Sequence, residues 1–241
     1  MTIQQQIEKH TIGQSIILHL FPGILMGIFY FLIRQPVQNF GYPSIFALIL
    51  AIIFVLVPVE LGYLLLKGKQ ATGRYTLDGL ISYRTPIPWW QYIIWVLIVL
   101  VLAGAIFTVL KPIEGILIEK LFFWIPTLDS GLDGNYSKTA LIVTYTTLLI
   151  FGAIVGPLVE ELYFRGYLLA RMPGKYPELF HSFLFAVYHV FTPWMIITRT
   201  IGVLPLIIAV KKKNIYIGIV VHFLMNTLDV IAGFAFIASM V

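Results

Sequence analysis

Apolar runs of roughly twenty residues, separated by short polar stretches, recur along the whole chain. A helix needs about 20 such residues to cross roughly 30 Å of hydrocarbon. The pattern predicts seven spans, at about 15–33, 44–66, 91–110, 139–171, 179–195, 197–210 and 214–239. Each is read as a helix, because a helix satisfies its own backbone hydrogen bonds in lipid. The fourth run is too long for a simple crossing, so it is expected to tilt, extend past the membrane or break near Gly156-Pro157, where proline removes a backbone donor. The sixth is short and open to kinking at Pro205. The amphipathic stretch ILIEKLFFWIP, 116–126, is predicted as an interfacial or re-entrant helix, since a further full span there would upset the topology. The expected fold class is an all-α, polytopic transmembrane bundle, with residues 1–241 forming a single membrane-embedded domain and a core at about 139–230.

Composition agrees with this pattern and narrows the chemistry. The chain is 59% hydrophobic and 11% charged, against about 45–50% and 25% in an ordinary soluble domain. The net charge of +5 could suggest nucleic acid, but the cations sit in short loops between apolar runs, where they orient a membrane protein. The expected surroundings are therefore a lipid bilayer, with no nucleic-acid partner. The absence of cysteine removes disulfides, thiolate metal sites and cysteine nucleophiles. The opening MTIQQQIEKHTIG lacks a basic n-region, and the apolar run after it lacks a clear cleavage site, so it reads as leading into a retained helix rather than a signal peptide. With the N-terminus inside, 11 Lys and Arg fall on the cytoplasmic side and 5, Arg199 among them, outside. That asymmetry predicts a multi-pass protein of the cell membrane with a cytoplasmic N-terminus and an external C-terminus. No internal repeat supports an inverted-repeat transporter.

Against this apolar background, GPLVEELYFRGYLLAR, 156–171, carries two adjacent glutamates and an arginine. Counting from the cytoplasmic ends, Glu160 lies 11 residues from Arg171, His189 lies 11 from Glu178 and His222 lies 9 from Lys213. At about 1.5 Å per residue all three reach roughly 13–17 Å below the surface. Asn226 is one turn beyond His222, and Glu161 and Arg165 are an i, i+4 pair. Taken singly each residue has a plain structural reading: a buried ion pair for Glu161 and Arg165, interhelical glue for Asn226, hydrogen-bonded packing for either histidine. Their common depth sets them apart. Glu60 and Asp229 are candidate supporting partners, while His19 and His181, near helix ends, are expected at the interface.

Two carboxylates, two histidines and an amide at one depth suit peptide hydrolysis, which needs a base for water, donors for the oxyanion and a proton for the leaving amine. The chain has no H-E-x-x-H and no G-x-S-x-G, and Asp229 is its one intramembrane aspartate. A glutamate-based site is therefore favoured and no cofactor is required. Zinc held by Glu160 or Glu161 with His189 and His222 is the metal alternative. A binding, immunity or scaffold protein and an ion-conducting transporter are the alternatives from other classes.

EELYFR (Glu160, Glu161, Arg165), FAVYH (Phe185, His189) and HFLMN (His222, Asn226) resemble, in order, the E-E-x-x-x-R, F-x-x-x-H and H-x-x-x-N motifs of the CAAX protease and bacteriocin-processing family, also called Abi. The likeness covers about 139–230. It implies an intramembrane glutamate protease in which Glu160 with His189 activates water, His222 and Asn226 form the oxyanion hole, and Glu161 and Arg165 support the site. The implied substrate is a membrane-associated peptide or protein cut near the cytoplasmic face. The family includes bacteriocin-processing and self-immunity members, and members with scaffold roles.

Overall fold

Thr11 and Gln14 open the first helix by capping each other: the Thr11 hydroxyl accepts the Gln14 N–H, and the Gln14 side chain accepts the Thr11 N–H. In the computed structural model, which describes residues 7–240, this helix is α1, Ile12–Asn39. It is followed by α2, Ser44–Thr72, which stops at Gly73 in the left-handed region at φ 79°. Then come α3, Trp89–Lys120, and α4, Lys138–Arg171, the latter capped by the Ser137 side chain. The shorter α5, Pro177–Tyr188, α6, Ile196–Gly202, and α7, Leu204–Lys212, lead to α8, Ile215–Ser239, capped by Asn214. The described residues contain helices and no strand, as the apolar periodicity predicts.

Five helices, α1 to α4 and α8, are long and apolar enough to cross a membrane, and the bent pair ending in α6 and α7 makes up to six. The difference from seven lies at 179–195. That stretch is not one helix: α5 ends at Tyr188 after 12 residues, about 18 Å. The chain leaves helical geometry at His189 (ψ 59°) and at Thr192 (φ −137°), the residue before Pro193, where proline disfavours the helical region. Beyond a single 3₁₀ turn, Pro193–Met195, the chain returns alongside itself, bent by 40° between α6 and α7. An ion pair between Glu178 and Lys211 closes the open end of this hairpin, and Ser182 Oγ donates to the Thr200 carbonyl, 2.6 Å, within it. Both ends of the hairpin therefore lie together, as two antiparallel spans would leave them, and the relative sides of the other helices are unchanged.

One further expectation is corrected and a second is narrowed. The stretch 116–126 is not a separate helix; α3 runs on through Lys120, and 121–137 forms turns and irregular chain, with Gly131 and Gly134 at φ 78° and 85°. Nor does α4 break at Gly156-Pro157. It widens instead into π-helical turns at Leu148–Val155 and Glu161–Leu168, as α2 does at Ile52–Leu61 around Pro58. At Leu148–Val155 and Ile52–Leu61 the wider turn accommodates a proline ring that would clash with the carbonyl four residues back.

The core joins α1, α2, α4 and the α5 end through Met26, Tyr30, Leu56, Tyr163, Phe164 and Tyr188. α3 buries only 17% of its most apolar window and presents Leu97, Val101 and Leu102 outward. In a bundle of this composition that outward face meets lipid.

Candidate active site

The geometry of α4 explains how neighbouring glutamates both face inward. Successive residues of a regular helix point about 100° apart, and the widened turns flanking Gly156–Glu160 change that register. Glu160 is 7% exposed, Glu161 0% and Arg165 1%. Arg165 Nη1 lies 3.2 Å from Glu161 Oε1, a close charge contact although its N–H is not aligned as a hydrogen bond. The guanidinium stacks over the Phe185 ring at 3.8 Å, so the first aromatic of FAVYH holds the arginine. Gly218 on α8 makes space for the carboxylate: a Cβ built there would lie 2.7 Å from Glu161 Oε2.

From α8, His222 enters between the two carboxylates. Its Nδ1 is 3.0 Å from Glu161 Oε1 and its Nε2 is 3.7 Å from Glu160 Oε2. With Glu161 ionised beside Arg165, His222 donates from Nδ1, which aims Nε2 at Glu160. One turn on, Asn226 donates from Nδ2 to the Gly152 carbonyl, 2.9 Å, in the widened part of α4. An amide nitrogen carries two hydrogens, so one remains for a ligand.

His189 sits where α5 ends. Its Nδ1 is 2.8 Å from the Phe185 carbonyl, which can only accept, so Nδ1 carries the proton and a neutral ring presents an Nε2 lone pair. The turn is pressed against α1, where a Cβ at Gly23 would collide with the Tyr188 carbonyl. Glu160, Arg165, His189, His222 and Asn226 all line one cavity of about 410 Å³, while Glu161 stands behind His222. His189 makes no direct hydrogen bond to Glu160 among the described residues; the two groups share the cavity.

One residue that sequence reading placed elsewhere also lines the cavity. Arg199, counted above among the external cations, lines the cavity on the returning arm of the hairpin, donating to Thr192 Oγ1 and contacting Met195 Sδ, each at 3.3 Å. Its position inside the apolar run IITRTIG is the signal that it is not a loop charge. With Arg199 and the buried Arg165 removed from the counts, 10 cations face 4, and the charge asymmetry persists. Asp229 lines the cavity as well. Glu60 is fully buried, with neither oxygen hydrogen-bonded among the described residues, and stands close to Glu160 and Tyr188. His19 and His181 are not at the interface: both are 0% exposed and bond to each other, Nε2 to Nδ1, at 2.8 Å. Among the described residues no three His, Asp or Glu side chains are grouped as ligands for a metal ion.

Comparison with known proteins follows the same residues. No curated protein and no solved structure gives a significant match to the chain. Residues 142–228 match the family described as type II CAAX prenyl endopeptidase Rce1-like, and that segment contains Glu160, Glu161, Arg165, His189, His222 and Asn226. Through its segment 142–228 the chain is thus similar to the CAAX protease family of membrane proteases.

Proposed function

We propose that the chain is a glutamate-type intramembrane endopeptidase, with Glu160 as the base that activates water. The observation that carries this reading is His222 held between Glu160 and Glu161 on the wall of a cavity that also receives His189 and Asn226. Glu160 takes a proton from water as its oxygen attacks the peptide carbonyl, and the same carboxyl returns that proton to the leaving amine. The His189 Nε2 lone pair accepts from the water and orients it. The developing oxyanion takes the free N–H of Asn226 and, when His222 is doubly protonated, its Nε2–H. Glu161 and Arg165 work through His222: the carboxylate accepts from Nδ1 and fixes the ring, and the arginine lies against that carboxylate. No step requires a metal. The substrate is a membrane-associated peptide or protein, cut near the cytoplasmic face.

Mass spectrometry of membrane peptides from cells carrying the wild type or Glu160→Gln tests this. A cleavage product found with the wild type alone is the expected result. Identical peptide sets would remove the protease reading and leave the cluster as packing. A product that disappears with chelators and returns with added zinc would replace glutamate chemistry by a metal.

A further inference from the structure

A second cleft, of about 360 Å³, opens away from the first where the start of α1 meets the ends of α2 and α4. Lys9, Lys67 and Arg171 line it, together with His10 and the aromatic rings of Tyr63 and Tyr167. Backbone contacts assemble it: His10 N–H donates to the Arg171 carbonyl at 2.8 Å, and Lys9 Nζ to the Ala170 carbonyl at 2.9 Å. These bonds tie the chain before α1 across the end of α4. The proposed catalytic residues do not line it.

The three cations in this cleft have only neutral partners. Arg171 donates to the Tyr167 carbonyl at 2.9 Å and lies over the Tyr167 ring at 3.8 Å, and Lys67 reaches Gln70 at 3.0 Å. Among the described residues no carboxylate comes within 4.0 Å of Lys9, Lys67 or Arg171. Residues 1–6, MTIQQQ, contain no acid. Glu8 is the single acidic residue in the lining. The crowding of positive charge is felt by His10, whose pKa is pushed down by burial first and then by Arg171 and Lys67.

The surroundings identify the kind of anion that fits. The cleft lies at helix ends, where a bundle of this kind meets the membrane surface, and its apolar side includes Ile17, 65% exposed, with Leu66 exposed on the neighbouring helix. A head that carries phosphate and a tail that prefers hydrocarbon would satisfy both halves. We infer that this cleft is a binding site for an anionic phospholipid, whose phosphate is held by Arg171, Lys67 and Lys9 and whose acyl chain runs along Ile17. Arginine and lysine both bind phosphate strongly, arginine through two parallel hydrogen bonds. Basic pockets between transmembrane helices are suited to such headgroups.

The purified full-length chain in neutral detergent provides the test, read by thermal unfolding and by lipid retained in native mass spectrometry. The probes are dioleoyl phosphatidylglycerol, dioleoyl phosphatidylcholine and inorganic phosphate. Phosphatidylglycerol is expected to raise the midpoint and remain bound, phosphatidylcholine to do neither, and inorganic phosphate to give at most a small rise. Lys67→Gln with Arg171→Gln should weaken phosphatidylglycerol binding roughly 30-fold, about 5-fold per charge removed. Lys69→Gln with Arg74→Gln, the same charge loss outside the cleft, should leave it unchanged. If the first pair unfolds the chain, Lys67→Arg with Arg171→Lys keeps the charges and should retain binding. Equal retention of the two lipids, equal loss in both neutralised pairs, or a full response to inorganic phosphate alone would overturn the assignment.

Discussion

Four histidines are buried or half-buried within the bundle, in two pairs that differ in what surrounds them. His189 and His222 open on a cavity, each with Nδ1 anchored and Nε2 directed toward shared space. His19 and His181 are sealed: they bond to each other, with His19 Nδ1 2.7 Å from the Ser15 carbonyl, and Phe164 lies against both rings. Burial of a polar side chain inside a membrane protein therefore does not by itself mark chemistry. What separates the pairs is a space for a third party and a carboxylate within reach.

The comparison is tested most severely at the cavity pair's carboxylate. Glu160→Gln preserves size and hydrogen bonding but removes basicity, so turnover of the product identified above should fall by roughly 10²–10⁴-fold. Retained thermal stability would show that chemistry, not folding, was lost. Wild-type turnover by this variant would return the cavity pair to the status of the sealed one. Asn226→Ala comes next. Loss of an oxyanion donor costs about 2.7–4 kcal/mol, or roughly 10²–10³ in rate, with little change in KM. Because Asn226 also donates to Gly152, Asn226→Asp should be no better, since it offers a carboxylate to an oxyanion.

A smaller effect probes the support behind the ring. Glu161 contacts His222 but does not line the cavity, so Glu161→Gln should cost roughly 10–100-fold through misorientation of His222, as loss of an outer partner does in metal sites. Gly218→Ala should act in the same direction, because its methyl group would displace Glu161 Oε2. Thermal unfolding measured beside turnover separates both from simple instability.

How much of this could be read from the chain depended on which physical signal each residue carries. Apolar run length identified all five long helices, and counting residues from the helix ends singled out Glu160, His189 and His222, which line one cavity. Four facts escaped it. Run length does not register Thr192-Pro193, which turns an apparent span into a hairpin and places His189 at its tip. Counting charges by loop put Arg199 outside, although a cation flanked by Ile196, Ile197 and Ile201 has no loop to occupy. Distance from a helix end also misjudged His19 and His181, because two polar residues on different helices can satisfy one another only in three dimensions. The widening of α4 lies beyond periodicity altogether, since the pattern assumes the very register that the π-helical turns alter.

The sealed pair yields the smallest expected change in activity and the clearest non-additivity. Since the Ser15 carbonyl can only accept, His19 Nδ1 carries its proton and Nε2 accepts from His181 Nδ1–H, a fixed proton order. His19→Leu strands the His181 donor in an apolar site and should cost about 1–3 kcal/mol, while replacing both partners by apolar groups of similar shape should be nearly neutral. The double variant His19→Leu with His181→Phe is therefore expected to unfold at a higher temperature than His19→Leu alone, with turnover unchanged in both. Thermal unfolding in detergent gives the first quantity and product formation the second. A double variant less stable than either single change would refute the proton order. One as inactive as Glu160→Gln would join the sealed pair to the catalytic machinery, and cavity access would no longer separate the two kinds of buried histidine.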